Sequence, residues 1–226
     1  MSVIKFLPQN VPMPEQSEVL RYMGVKKDCP ADILTLAADA CAEIYSAADF
    51  RVCYRLCPVE HKESSTSLGF LTTGSLSLKK LLEECENAVV FAATIGAGAD
   101  RIIAKYSKIR PSAALAADAA ASALIECLCD SFCEHLKALE FSRGKFLTQR
   151  FSPGYGGLAL ETQKDFFEYL NCPKNIGLCL TDSMLMTPTK SVTAIVGISS
   201  RESRGCTHKC QACQNRTCIY RNGETK

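Results

Sequence analysis

The stretch PSAALAADAAASALIECLCDSFCEHLKAL, residues 111–139, constrains the fold more than any other part of the chain. A proline at its start suits the first turn of a helix, where the missing N–H is not needed. Alanine dominates the first half; it favours helix and lets another element approach closely. The segment therefore reads as one long helix with a close-packed neighbour. Asp118 and Glu126 interrupt its alanine-rich run, 112–129, which argues against a membrane span. The other long apolar run, 88–99, is too short to cross a bilayer and contains two glycines. The N-terminal MSVIKFLPQNVPMP has no apolar core of a signal peptide and is interrupted by prolines. The expectation is a cytoplasmic protein with no membrane partner.

The remaining pattern mixes helices and strands without regular alternation. Residues 16–24 read as a short helix stopped by Gly24, and Pro30 opens a second helix reaching about Ala48. RVCYRLCPVE, 51–60, alternates Val52, Tyr54 and Leu56 with Arg51, Cys53 and Arg55, the period of a half-buried strand. Ser-Ser-Thr-Ser at 64–67 reads as loop. Ser75 or Ser77 caps a helix through Cys85. AVVFAATIG, 88–96, is a buried strand, 100–107 a helix, and 161–170 an amphipathic helix. Strands are expected at 176–181 and 191–199. Helices, then strand, helix, strand, helices and strands point to an α+β fold, with an antiparallel sheet flanked by helices. A length of 226 residues with 47% hydrophobic residues suits one such domain. Hydrophobicity collapses after Arg201, so the expected division is a domain over 1–200 and a small tail over 201–226. The net charge of +2 is not that of a general nucleic-acid binder.

One loop carries more chemistry than a connection needs: RFSPGYGGLALETQ, 150–163. Arg150 offers a fixed charge and a planar fork of donors suited to a carboxylate or phosphate. Pro153 stiffens the segment. Gly154, Gly156 and Gly157 permit positive φ and let a ligand come close to the backbone. Tyr155 adds a flat face and one hydroxyl. An anionic ligand with an aromatic or cationic part would fit; an ordinary connection with a salt-bridged arginine would read the same way. No strand leads directly into the loop, so it is not a dinucleotide-binding glycine motif.

RFSPGYG resembles the arginine-to-Gly-Tyr signature of the activation domain of cobalamin-dependent methionine synthase. The resemblance continues through EVLRYMG (18–24), FAATIGAGADR (91–101), LALETQKDFFEYL (158–170), IGLCLTDSMLMTPTKSV (176–192) and IVGIS (195–199). It implies S-adenosylmethionine in a shallow groove at the edge of an antiparallel sheet. It places Arg150 at the methionyl carboxylate, Pro153, Gly154 and Gly156 against the ligand, and Tyr155 near the sulfonium methyl. Asp118 and Glu126 fall where the family carries acidic residues, and as isolated residues they read equally as solvated or capping carboxylates. Full-length members carry a glutamate shortly before the arginine; residues 144–149 here contain no acid. The activity implied is the methyltransferase step that reactivates cobalamin: one electron reduces the inactive cobalt, which takes the methyl group and leaves a neutral thioether. The protein supplies position and electrostatics, and the cofactor carries the hard chemistry. No Asp-x-His-x-x-Gly cobalt-ligand motif occurs among His61, His135 and His208. The cobalamin is therefore expected on a separate corrinoid-binding methionine synthase or methyltransferase subunit, with an electron donor such as a flavodoxin or ferredoxin. The alternative is a metal- or redox-active adaptor of a corrinoid protein that has lost S-adenosylmethionine binding.

Of the 14 cysteines, ten lie between Cys29 and Cys179 in mostly apolar surroundings and read as core thiols. The other four, Cys206, Cys210, Cys213 and Cys218, fall within 13 polar residues at spacing C-x3-C-x2-C-x4-C. They suit a metal centre or a thiol-rich flexible tail. Zinc would take four tetrahedral ligands, with His208 able to replace one, and an iron–sulfur cluster would take four thiolates. The C-x3-C-x2-C triad also occurs in radical S-adenosylmethionine enzymes, but there it opens a large barrel, and only 13 residues follow Cys213 here. Stand-alone proteins resembling this one often end in a similar tail.

Overall fold

A computed structural model describes residues 2–8, 10–25 and 29–201 of the chain. In chain order the described elements are β1 (Ile4–Phe6), α1 (Gln16–Tyr22), α2 (Ala31–Ala47), β2 (Arg51–Pro58), β3 (Glu60–His61), β4 (Thr66–Ser67), β5 (Thr72–Thr73), α3 (Leu76–Leu82), β6 (Cys85–Thr94), α4 (Ala97–Ile109), α5 (Pro111–Phe141), β7 (Phe146–Leu147), α6 (Gln163–Leu170), α7 (Cys172–Ile176), β8 (Cys179–Leu180), β9 (Met186–Thr187) and β10 (Ser191–Ser199). Five strands form one antiparallel sheet in the order β1-β2-β6-β10-β7. Helices cover both faces. This is the α+β architecture expected.

The alternation of β6 explains the layering. Val89, Phe91 and Ala93 face a core shared with α1, α2, α4 and α5, while Ala88, Val90 and Ala92 face a second core under α3, α6 and α7. Successive side chains of a strand point to opposite faces, so a strand covered on both sides is apolar throughout. The same reasoning corrects the reading of β2. It is not half-buried: Val52 enters the first core, and Cys53 and Cys57 enter the second. A thiol packs as a small hydrophobe, so those cysteines were apolar positions in disguise. Of the ten cysteines up to Cys179, Cys41, Cys53, Cys57, Cys85, Cys129 and Cys172 are buried, Cys29, Cys127 and Cys133 are half-buried, and Cys179 is exposed. Burial pushes the Cys57 thiol up to about 12 and the Cys85 thiol up to about 11. Both are inert core groups at neutral pH.

The long helix α5 ends at Phe141, close to the expected limit, and packs against α1, α2 and α4. By length and composition it could cross a membrane, but 61% of its most apolar window is buried inside the fold, as in the core helix of a globular domain. The helix expected through Cys85 is capped by Ser75 and ends at Leu82, and Cys85 already begins β6; other segments differ from expectation as well. Of the strand expected at 176–181, Ile176 instead ends α7 and only Cys179–Leu180 is extended, pairing with β9 in a small hairpin outside the main sheet. Part of the loop at 64–67 is the short strand β4, which pairs with β3 and β5.

Candidate functional site

Arg150 is held on the outer edge of the main sheet by pairing on either side of it. Thr148 N donates to Gly197 O at 2.9 Å, Gly197 N donates to Thr148 Oγ1 at 2.8 Å, and Phe151 and Ile195 exchange backbone hydrogen bonds at 2.9 and 2.8 Å. The arginine thus sits beside β10 and reaches α5. Its side chain is only 12% exposed. One terminal nitrogen, Nη2, donates to Glu126 Oε2 at 2.7 Å and lies 2.9 Å from Asp130 Oδ1. The other, Nη1, is buried and has no hydrogen-bond partner. Burial works against the charge, but Cys129, Glu126 and Asp130 around it outweigh that and hold its pKa above the ordinary arginine value. The guanidinium is therefore a permanent cation with one end clamped and one donor group unspent.

The sequence reading named Glu126 but missed Asp130. The signal was present: Asp118, Ser122, Glu126 and Asp130 recur every fourth residue, which puts them on one face of a helix. That face forms a polar stripe along α5. At its other end Lys190, 15% exposed, lies 2.7 Å from Asp118 and donates to Ser122 Oγ at 2.9 Å. Asp118 and Glu126 are eight residues apart, about 12 Å along the helix. They do not converge on one point; each holds a different cation. Neither is an isolated solvated carboxylate. No acid comes from 144–149, and α5 provides the carboxylates beside Arg150 instead.

Beyond Arg150 the chain folds into a tight loop. Pro153 is buried, Gly154 N donates to Leu158 O at 2.8 Å, and Leu158 N donates to Tyr155 O at 2.9 Å. Gly154, Gly156 and Gly157 all have positive φ. Their roles differ. At Gly156 a Cβ would lie 2.7 Å from both Phe151 Cζ and Ser77 Cβ, so its missing side chain is used by the protein's own packing. At Gly154 the nearest atom, Leu160 Cδ1, is 3.6 Å away, which leaves more room beside the backbone. Tyr155 is 72% exposed and projects from the surface between these glycines. A shallow cavity of about 540 Å³ lies elsewhere, between α6 and β8, lined by Lys164, Phe167 and Asp182 among others. It belongs to the opposite face of the sheet from α5 and shares no residue with the Arg150 loop. The four tail cysteines, Cys206, Cys210, Cys213 and Cys218, lie outside the described residues.

Fold and site together define a class: a helix-flanked antiparallel α+β domain that offers a half-buried arginine, carboxylates and a glycine-rich loop at one edge of its sheet. The chain belongs to the vitamin B12 dependent methionine synthase activation domain family, whose model matches residues 79–216. Among solved structures, a crystal structure of the MetH reactivation domain bound to AdoHcy is similar, with a TM-score of 0.62 over 87% of this chain and 78% of that one. The two are 14% identical, so the likeness concerns the fold. No curated protein matches the chain.

Proposed function

We propose that this chain binds S-adenosylmethionine at the Arg150–Gly157 edge and serves in trans in the reductive remethylation of cobalamin carried by a separate corrinoid-dependent methionine synthase or related methyltransferase. The observation that carries the reading is the buried, unpartnered Nη1 of Arg150, beside a glycine loop that carries an exposed tyrosine. A ligand carboxylate is the natural partner for such a donor. S-adenosylmethionine has one, with an ammonium that the neighbouring Glu126 and Asp130 suit. Its sulfonium methyl would lie toward Tyr155, against the backbone of Gly154 and Gly156, with Pro153 stiffening the loop. Asp118, paired with Lys190, closes the far end of the same stripe. AdoHcy, found in the similar MetH domain, is the demethylated form of this ligand. Cobalamin held by the partner would supply the nucleophile, and a flavodoxin- or ferredoxin-type donor would supply the electron. This chain's residues hold and orient the methyl donor; no proton transfer is asked of them, because the leaving thioether is neutral. The setting is the cytoplasm, with no nucleic acid or membrane involved.

A second reading has its own observation. Arg150 is already salt-bridged to Glu126 and Asp130, as an arginine with a purely structural role would be. On that reading the chain is a metal- or redox-active adaptor of a corrinoid protein. Calorimetric titration of the full chain separates the two. Saturable S-adenosylmethionine binding, together with methylcobalamin formation that depends on this chain, partner, reductant and S-adenosylmethionine, is the expected result. No binding, even with the corrinoid partner present, leaves only the adaptor.

The domain over 1–200 is proposed to fold without residues 201–226, and Cys206, Cys210, Cys213 and Cys218 to hold one metal centre apart from the Arg150 site. Their crowding in a segment too polar to fold by burial supports this, since metal binding can supply the folding energy. Anaerobic purification followed by metal and sulfide analysis checks it. Iron with sulfide indicates a cluster, one zinc indicates a structural knuckle, and neither metal at near-stoichiometric level defeats the proposal.

A further inference from the structure

Ser75 immediately precedes α3 and is 4% exposed. Its hydroxyl makes two hydrogen bonds of opposite sense. It accepts from Leu78 N at 3.1 Å, which caps α3, and it donates to Gly156 O at 2.6 Å, in the middle of the glycine loop. Its own N–H donates to Thr73 Oγ1 at 3.2 Å, and its carbonyl accepts from Lys79 N at 2.9 Å. The serine is thus fixed on every side before it reaches the loop. Ser77, two residues on, is the side chain against which Gly156 is packed, and the Cα and Oγ of Ser75 lie 3.9 Å from where a Cβ of Gly157 would be.

A serine hydroxyl has one proton, and here Gly156 O takes it. The bond spans 81 residues of sequence and joins the buried serine to the exposed loop. It holds the carbonyl that joins Gly156 to Gly157, both of positive φ, in a segment whose backbone freedom would otherwise be large. Tyr155 itself is largely exposed, so its side chain gains little anchoring from burial.

We infer that Ser75 is a positioning residue for the ligand loop: its hydroxyl proton fixes Tyr155–Gly156 in the binding conformation, a role separate from capping α3. The inference rests on the reading of this loop as the S-adenosylmethionine site. Aspartate distinguishes the two roles. It caps a helix as well as serine does, but its carboxylate has no proton for Gly156 O. Threonine keeps both functions, and alanine loses both.

The test uses the full chain and three variants, Ser75→Ala, Ser75→Asp and Ser75→Thr. Thermal unfolding and hydrogen exchange of the Leu78 amide report the cap. Hydrogen exchange of the Gly154 and Leu158 amides reports the loop, and S-adenosylmethionine titration reports binding. Expected for Ser75→Asp is exchange of the capped Leu78 amide close to wild type, loop exchange faster by at least fivefold and affinity lower by at least fivefold. Ser75→Ala should show the same loop effects with a lower melting point, and Ser75→Thr should stay within twofold of wild type in both. Loop exchange in Ser75→Asp equal to wild type overturns the inference. If wild type itself binds no S-adenosylmethionine, the proposed function fails, and the exchange comparison still decides the role of Ser75 by the same criterion.

Discussion

Phe132→Ala is expected to lower the unfolding free energy by about 3–5 kcal/mol, the usual cost of truncating a buried phenylalanine. Phe132 lies on α5 and is fully buried. Its ring meets Phe6 at 5.4 Å, Tyr54 at 5.2 Å and Phe91 at 5.0 Å between centroids, all in tilted arrangements. Those three rings belong to β1, β2 and β6, so one side chain ties the long helix to three adjacent strands. Truncation removes apolar area and leaves a cavity that two-sided packing cannot close, because the sheet beneath is itself held by the second core. Tilted aromatic pairs add something beyond area, about 0.5–1.5 kcal/mol per pair, which alanine also forfeits. Phe132→Leu keeps most of the volume and should cost less than half as much. Chemical denaturation at fixed denaturant slope measures both. A loss below about 1 kcal/mol for the alanine variant would show that α5 is not anchored through this ring.

The elements that were legible in the sequence are those whose local signal agrees with their tertiary role. The alanine run of α5, the apolar run of β6 and the largely apolar SVTAIVGIS of β10 each state their environment directly. The three-residue β1 could not be read, because Ile4 and Lys5 are exposed and the strand it pairs with, β2, lies nearly fifty residues away. Pro173 near the start of α7 and left-handed Gly177 after its end are ordinary helix punctuation. They were overridden by the apolar alternation of the residues that follow. Short segments leave such conflicts to tertiary contacts.

The candidate site divides the same way. Arg150 and the glycines announced themselves by their crowding, and Ser75, with Ser77 as the alternative cap, by its place before a helix. What one sequence could not supply was the meeting of distant segments: Asp130 with Arg150, and Ser75 with Gly156. Gly156 is the instructive residue. Its missing Cβ reads in the sequence as room for a ligand, but the structure fills that room with Ser77 and Phe151. The flexibility written into the glycines is used to seat the loop on the protein, and what faces outward is the tyrosine.

Arg150→Ala is expected to weaken S-adenosylmethionine binding by about 1.5–3 kcal/mol, the range for losing a hydrogen bond to a charged group. That is a rise in Kd of roughly 10- to 150-fold. The effect on stability should be smaller than its burial suggests. Glu126 and Asp130, left without their cation, are 45% and 71% exposed at the side chain and can turn to water. Exposed ion pairs contribute little, and these two acids are the solvent-facing half of the arrangement. Two carboxylates without the arginine between them would, however, repel the ligand carboxylate, so the affinity loss combines a missing donor with an unbalanced charge. Arg150→Lys separates these parts. Lysine restores the charge but not the planar fork, and a single ammonium cannot serve the α5 acids and a ligand with the same geometry. Its affinity should fall between those of wild type and alanine. Titration of the three proteins at one ionic strength measures the series. An alanine variant that binds as wild type does would remove Arg150 from the ligand site and leave the salt bridge to α5 as its whole function.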